Sequence, residues 1–225
     1  MNVLAAQLVV IAKDPVPGRV KTRLTPPFTP REAARLAAAA LDDTLDAVGR
    51  TPAARRILAL DGKSAPWLPH GFEVIAQRGT GLDQRLAAAF SDGYASMPLP
   101  VVLIGMDTPQ VTPELLAAAL RPLATGAADA AFGPADDGGF WLLGLRRPRP
   151  GLIEGVPMSA ADTGRTQLLR LERAGLRTRM LPTLTDVDTA ADAMRVARQA
   201  PDGRFTATLR MTLGATAQET GANTA

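Results

Sequence analysis

Pro100-Val101-Val102-Leu103-Ile104 carries no polar side chain. A strand of that kind needs cover on both faces, as the central strands of parallel sheets have. It therefore excludes a sheet with one wet face and requires helices on either side. Gln7-Leu8-Val9-Val10-Ile11-Ala12 repeats the signal: apolar after its first residue and rich in β-branched side chains, it reads as a second buried strand. Arg55–Leu60, Phe72–Gln77, Asp129–Gly133, the apolar run Phe140–Leu145 and Leu176–Leu181 supply further strand candidates.

Helical segments alternate with these runs. Thr29-Pro30-Arg31-Glu32 is a capping box with proline at the first helical position, opening a helix to about Val48. Leu82 to Ser96 has helical apolar spacing, Thr112-Pro113-Glu114 starts another helix, Asp162 or Thr163 caps one to about Ala174, and Asp186-Val187-Asp188-Thr189 leads into a last one ending near Gln199. Strands alternating with helices give an α/β fold with a mostly parallel central sheet flanked by helices. No linker or internal repeat divides residues 1–200, so they form one domain. The apolar pattern fades from Pro201, and 201–225, with its Thr/Ala/Gly-rich end from Thr212 to Ala225, is expected to be a variable, disordered tail.

Composition narrows the functional classes. The chain has 225 residues, 46% hydrophobic and 4% aromatic, enough for one sizeable core. Its 25 basic and 22 acidic residues leave a net charge of only +3. The basic residues are scattered and no aromatic ladder accompanies them, which argues against a nucleic-acid partner. With no cysteine there is no disulfide, thiolate metal site or cysteine nucleophile. No apolar run reaches about 18 residues and no signal-peptide pattern opens the chain, so the expectation is a cytoplasmic protein without a membrane partner. His70, the lone histidine, lies in a Pro/Gly-rich stretch and reads as surface decoration.

The chemistry is expected at two places. After the first strand, Lys13-Asp14-Pro15-Val16-Pro17-Gly18-Arg19-Val20-Lys21-Thr22-Arg23 brings four cations into a loop that neither helix nor strand can cross. Such a loop at a strand's C-terminal end suits phosphate, with a solvated basic loop as the competing reading. Its spacing matches neither the Walker A motif nor the dinucleotide-binding GxGxxG. The second place is the carboxylates Asp107 and Asp188. Asp107 follows the all-apolar strand and is either a turn residue or a metal ligand; Asp188 is either a helix cap or a second ligand. Mg²⁺ binds through one or two carboxylates plus substrate phosphates, which would unite the two places at one sheet edge.

Five ordered motifs, AKDPVPGRVKTRL, GTGLDQRL, GMDTP, GPADDGGFWLLGL and DVDT, spread from about Val9 to Ala197, resemble a family of GT-A-fold transferases. These are known as radical-SAM/selenodomain-associated transferases, or arsenosugar-biosynthesis glycosyltransferases, and look related to phospholactate guanylyltransferases. The resemblance implies a nucleotide-diphospho-sugar transferase fold, a bound nucleotide, a small-molecule acceptor and a divalent ion, Mg²⁺ or Mn²⁺. It implies that Lys13, Gly18, Lys21 and Arg23 hold the phosphates, and that Gln77, Gly81 and Leu82 face base and ribose. Asp107 and Asp188 would hold the metal, with Asp186 the alternative to Asp188. Lys21, Arg23 and Asp107 would be catalytic. Asp137, Gly138 and Gly139 would shape the acceptor side, unless they only form a tight turn. GMDTP has one acid where many GT-A glycosyltransferases have Asp-x-Asp. That leans the expected activity toward nucleotidylyl transfer from a nucleoside triphosphate to a phosphorylated or other oxyanion acceptor. Glycosyl transfer from a nucleotide-sugar is the alternative, and a non-catalytic nucleotide-binding module a third.

Overall fold

The structure, a computed structural model, describes residues 2–62 and 68–222, with only the backbone described from 215. The strands are β1 (Leu4–Lys13), β2 (Ala53–Asp61), β3 (Glu73–Ala76), β4 (Val101–Ile104), β5 (Ala130–Pro134), β6 (Phe140–Leu145) and β7 (Thr178–Met180). They form one seven-stranded sheet in the order β3-β2-β1-β4-β6-β5-β7. All neighbours pair in parallel except β6, which runs antiparallel to both β4 and β5. The mostly parallel sheet thus contains one reversed strand, because β5 and β6 are joined by a tight turn too short for a crossover.

The helices are α1 (Pro30–Arg50), α2 (Leu82–Ser96), α3 (Pro113–Thr125), α4 (Thr163–Arg173), α5 (Ala190–Gln199) and α6 (Arg204–Ala222). Alternation along β1 and β4 divides the core between the two faces. Leu8, Val10, Val102 and Ile104 join the cluster under α1 and α3, while Val9, Val101 and Leu103 join the cluster with Leu86 and Phe90 of α2. Each fully buried aliphatic side chain of this kind contributes about 1.5–3 kcal/mol relative to exposure. The double-sided cover demanded by the apolar β4 is therefore realised by helices on both faces.

Helix α1 starts at Thr29 with the full capping box, and Thr112 caps α3 through the Leu115 amide. The cap of α5 is Thr189, paired reciprocally with Asp192, which leaves Asp188 free of the capping role. The C-terminal region departs from the expectation of a disordered tail. Arg204–Ala222 is helical, and Phe205 and Leu209 are buried with Leu36 and Ala40 of α1 and Val196 of α5. Phe205, Leu209 and Thr212 recur at helical spacing, a stripe diluted by intervening Thr and Arg. The last part of the expected tail, 223–225, lies outside the described residues. Among the described residues no helix is long and apolar enough to cross a membrane.

Candidate functional site

The loop after β1 is pinned on both sides of Lys21. Val20 and Leu24 are buried, Gly18 takes a left-handed φ of 76°, and Lys21 itself is left-handed at φ 47° before a 3-10 turn over Thr22–Leu24. A non-glycine residue held there costs about 1–3 kcal/mol and such strain gathers at functional sites. It aims the Lys21 ammonium inward, leaving its side chain 9% exposed. Nζ contacts Asp107 Oδ1 at 2.8 Å and Asp188 Oδ1 at 2.9 Å. Burial alone would pull the lysine pKa down, but the two carboxylate charges outweigh it and hold the pKa above its ordinary value. The same ammonium therefore brings together Asp107 and Asp188 across 81 positions of sequence.

Main-chain bonds hold the two carboxylate loops in register. The Val187 amide donates to the Asp107 carbonyl at 2.9 Å, and Gln110 Nε2 donates to the Thr185 carbonyl at 2.7 Å. Arg23, largely exposed, reaches Asp188 Oδ2 at 3.4 Å. Asp186 lies beneath them, and its Oδ1 is buried without a hydrogen-bond partner. Burial first, then the charges of Asp107 and Asp137, push its pKa up to about 7, with Lys21 opposing and Asp188 adding to the rise.

These groups border a cavity of about 930 Å³, whose walls include Lys13, Arg19, Lys21, Arg23, Gln77, Leu82, Arg85, Phe140, Met158, Asp107, Asp137, Gly139, Asp186 and Asp188. Gln77 Nε2 donates to the carbonyls of Ala12 and Ala59 at 2.8 and 2.9 Å, which fixes the amide against the sheet edge. Gly81 is the N-cap of α2, and a Cβ there would run into the Asp83 carboxylate. Arg85 is held by Asp61 at 2.7 Å.

Asp136-Asp137-Gly138-Gly139 makes the β5–β6 turn. Asp137 Oδ1 accepts from the Gly139 amide at 2.8 Å, and Gly138 adopts φ 90°. A Cβ on Gly138 would overlap the Ala161 carbonyl, and the Gly164 amide at the start of α4 donates to the Gly138 carbonyl at 2.8 Å. The glycines thus serve the turn and also let the 158–163 loop close over it. A smaller pocket of about 210 Å³ adjoins, lined by Asp136, Asp137, Asp186, Asp188, Asp192 and Arg195. Arg195 is its one cation and is bound to Asp136 at 2.8 Å and Asp192 at 2.7 Å.

Of the residues expected at the site, Lys13, Lys21, Arg23, Gln77, Leu82, Asp107, Asp137, Gly139 and Asp188 line the one cavity. Gly18, Gly81 and Gly138 are not among its lining residues: Gly18 and Gly138 take positive φ in loops, and Gly81 is the N-cap of α2. His70 is exposed, as expected. Arg85, four positions after Gly81 in GTGLDQRL, carried a legible signal that sequence reasoning passed over. The 158–163 loop and the Asp136–Arg195 pair had none, since each depends on contacts between distant segments.

The donor set suits a hard divalent ion. Among the described residues no three His, Cys, Asp or Glu side chains are arranged around a common metal position. Mg²⁺ and Mn²⁺ at phosphate sites, however, need only one or two carboxylates, with substrate oxygens and water completing the shell. Asp107 and Asp188 already direct one oxygen each at a single cation.

Comparison with known proteins gives the chain a family and a shared fold. Residues 44–160, just over half of the chain, match the family described as "Uncharacterized protein conserved in bacteria (DUF2064)", and the chain belongs to that family. The match includes Asp107 and the Asp137–Gly139 turn. No curated protein matches the chain. A crystal structure from Desulfovibrio desulfuricans G20, of a protein proposed to be a nucleotide-diphospho-sugar transferase, superposes with a TM-score of 0.85 at 29% identity, covering 97% of this chain and 98% of that one. A CMP:2-keto-3-deoxy-manno-octonic acid synthetase complexed with CTP gives 0.55 at 16% identity, covering 88% and 99%. Glucosyl-3-phosphoglycerate synthase from Mycobacterium tuberculosis, in complex with Mn²⁺, UDP and glucosyl-3-phosphoglycerate, gives 0.53 at 13% identity, covering 94% and 80%. The last two establish a shared fold: the single α/β domain is that of nucleotide-sugar transferases and nucleotidyltransferases.

Proposed function

We propose that this member of the DUF2064 family is a metal-dependent transferase that moves a nucleotidyl group from a nucleoside triphosphate to a small acceptor and releases pyrophosphate. The observation that carries the reading is the Lys21–Asp107–Asp188 contact at the wall of a cavity of about 930 Å³, a volume within the usual range for small-molecule sites. Base and ribose lie along Gln77, Leu82 and Arg85. The triphosphate runs past Lys13, Arg19 and Arg23 toward Lys21, whose cations neutralise it and orient it for in-line attack. Asp107 and Asp188 would hold Mg²⁺ or Mn²⁺, which would offset phosphate charge and polarise the reacting phosphorus.

The acceptor enters beside Asp137 and Gly139. The adjoining pocket narrows its class: five carboxylates face one arginine already committed to two of them. Such a lining favours an acceptor that offers hydroxyl groups to the carboxylates, alone or beside the oxyanion expected from sequence. The hydroxyl oxygen bonds to the α-phosphorus as the bond to pyrophosphate breaks. Asp186, which lines both the cavity and the adjoining pocket, takes the proton given up. The single acid in Gly105-Met106-Asp107-Thr108-Pro109 supports the nucleotidyl reading. Glycosyl transfer is the second reading, favoured by the 29% identity to the D. desulfuricans protein.

Thermal shift with Mg²⁺ and a panel of nucleoside triphosphates and nucleotide-sugars separates the two, since a ligand that binds only the folded state raises Tm with concentration. Nucleotidyl transfer predicts stabilisation by a triphosphate, with pyrophosphate release on adding a hydroxylated acceptor. Stabilisation by nucleotide-sugars alone would assign glycosyl transfer. No shift with any nucleotide would overturn both.

A further inference from the structure

The Lys21 side chain lies where a metal bridging Asp107 and Asp188 would have to be. Its ammonium is within 2.9 Å of one oxygen from each carboxylate, and its side chain is only 9% exposed. Two like charges do not share that position, because mutual repulsion at such range is severe in a poorly solvated pocket. The carboxylates do not easily swing to a second position either: the Val187–Asp107 main-chain bond ties their loops together, and the other Asp188 oxygen faces Arg23. The lysine is the movable member. Its backbone is fixed by Val20 and Leu24, but its four-carbon stem carries three donors that suit phosphate oxygens.

From this geometry we infer that Lys21 is a built-in counter-ion that competes with the divalent metal for Asp107 and Asp188, so that metal binds tightly only once a phosphate has drawn Lys21 away. The inference rests on the metal-dependent reading above. In the free protein the ammonium keeps the carboxylates together and excludes the ion. An arriving triphosphate offers Lys21 new acceptors, the lysine moves to them, and the vacated pair takes the metal. Linkage makes the effect mutual: nucleotide tightens metal binding, and metal tightens nucleotide binding by the same factor. The protein thereby avoids loading a metal with no substrate to coordinate.

Calorimetric titration of Mn²⁺ into the full chain without nucleotide tests this. The variants are Lys21→Met, Asp107→Asn, Lys21→Met/Asp107→Asn, and Lys13→Met as a control that removes one cavity charge without touching the carboxylates. Apparent affinity falls with the fraction of competent sites, so a pair occupied by lysine nine-tenths of the time or more predicts roughly tenfold or greater tightening in Lys21→Met. The gain should vanish in the double variant and be small in Lys13→Met. Equal or weaker Mn²⁺ binding by Lys21→Met, with Asp107-dependent binding by the wild type, overturns the exchange and leaves the metal reading standing. No Mn²⁺ binding by any variant overturns both.

A second measurement needs no substitution. The chain has three lysines, Lys13, Lys21 and Lys63, which peptide mapping resolves after brief treatment with an amine-acylating reagent. Lys21 should resist acylation in chelator and react faster at saturating Mg²⁺, while Lys13 changes little. Lys21 labelling that is indifferent to Mg²⁺ overturns the exchange.

Discussion

Replacing Phe205 by alanine tests whether the C-terminal helix belongs to the domain. Phe205 is 1% exposed and packs in a cluster with Leu24, Phe28, Leu36, Val187, Val196 and Leu209. Its amide and that of Arg204 donate to the two oxygens of Asp43 at 2.9 and 3.0 Å, so the start of α6 is also fixed to α1. Truncating a buried phenylalanine to alanine costs about 3–5 kcal/mol, the transfer loss plus the cavity left behind. For a chain of this length that corresponds to roughly a 6–20 °C fall in Tm. Asp43→Ala, which removes only the cap, should cost about 1 kcal/mol. Urea unfolding followed by circular dichroism measures both. Leu24 and Val187 adjoin Arg23 and Asp188, so the Phe205 variant should also bind nucleotide more weakly. A loss below about 1 kcal/mol with an unchanged m-value would mean that α6 is a detachable tail, and the packing argument would fail.

Asp107→Asn should abolish Mg²⁺-dependent turnover while circular dichroism and Tm remain near the wild type; retained turnover would remove Asp107 from the mechanism. Gly138→Ala combines a positive φ with a clash against the Ala161 carbonyl, and should lower Tm by several degrees and disturb the acceptor side, whereas an unchanged melt would show that the 158–163 loop yields freely. Asp186 has a folded-state pKa raised to about 7 from an ordinary value of 3.8, so its ionisation opposes folding: the stability it permits when protonated is lost as pH rises from about 4 to about 7. Asp186→Asn in chelating buffer should therefore raise Tm at pH 8 and leave it nearly unchanged at pH 4, and a pH-independent difference would contradict the assigned burial.

What could be read from the sequence depended on how local the deciding physics is. Thr29 and Thr112 were legible as caps because a cap is settled within four residues. The apolar β4 announced cover on both faces by itself. The reversal of β6 was not legible, since direction follows from the turn geometry at Gly138 rather than from the apolar run that succeeds it. Helix α6 was hidden because its buried stripe is sparse and gains its stability from α1, about 160 positions away. At the site, the cations and carboxylates were identified by their places at strand ends. That Lys21 would pair with the carboxylates, rather than stand apart for phosphate, depends on a contact across 167 positions, which no local pattern encodes.

That contact also bears on how the chain reaches its native state. Lys21 follows β1, Asp107 follows β4 and Asp188 precedes α5, so the site draws on early, middle and late parts of the polypeptide. An intermediate with β1, β2 and β3 paired would carry the basic loop but no carboxylates to receive it. Ligands of the finished site therefore have no purchase on partly folded species, and their binding energy is added wholly to the completed fold. A pulse of metal and nucleotide during refolding would report completion of the site, which needs the 184–189 segment bonded to the loop after β4.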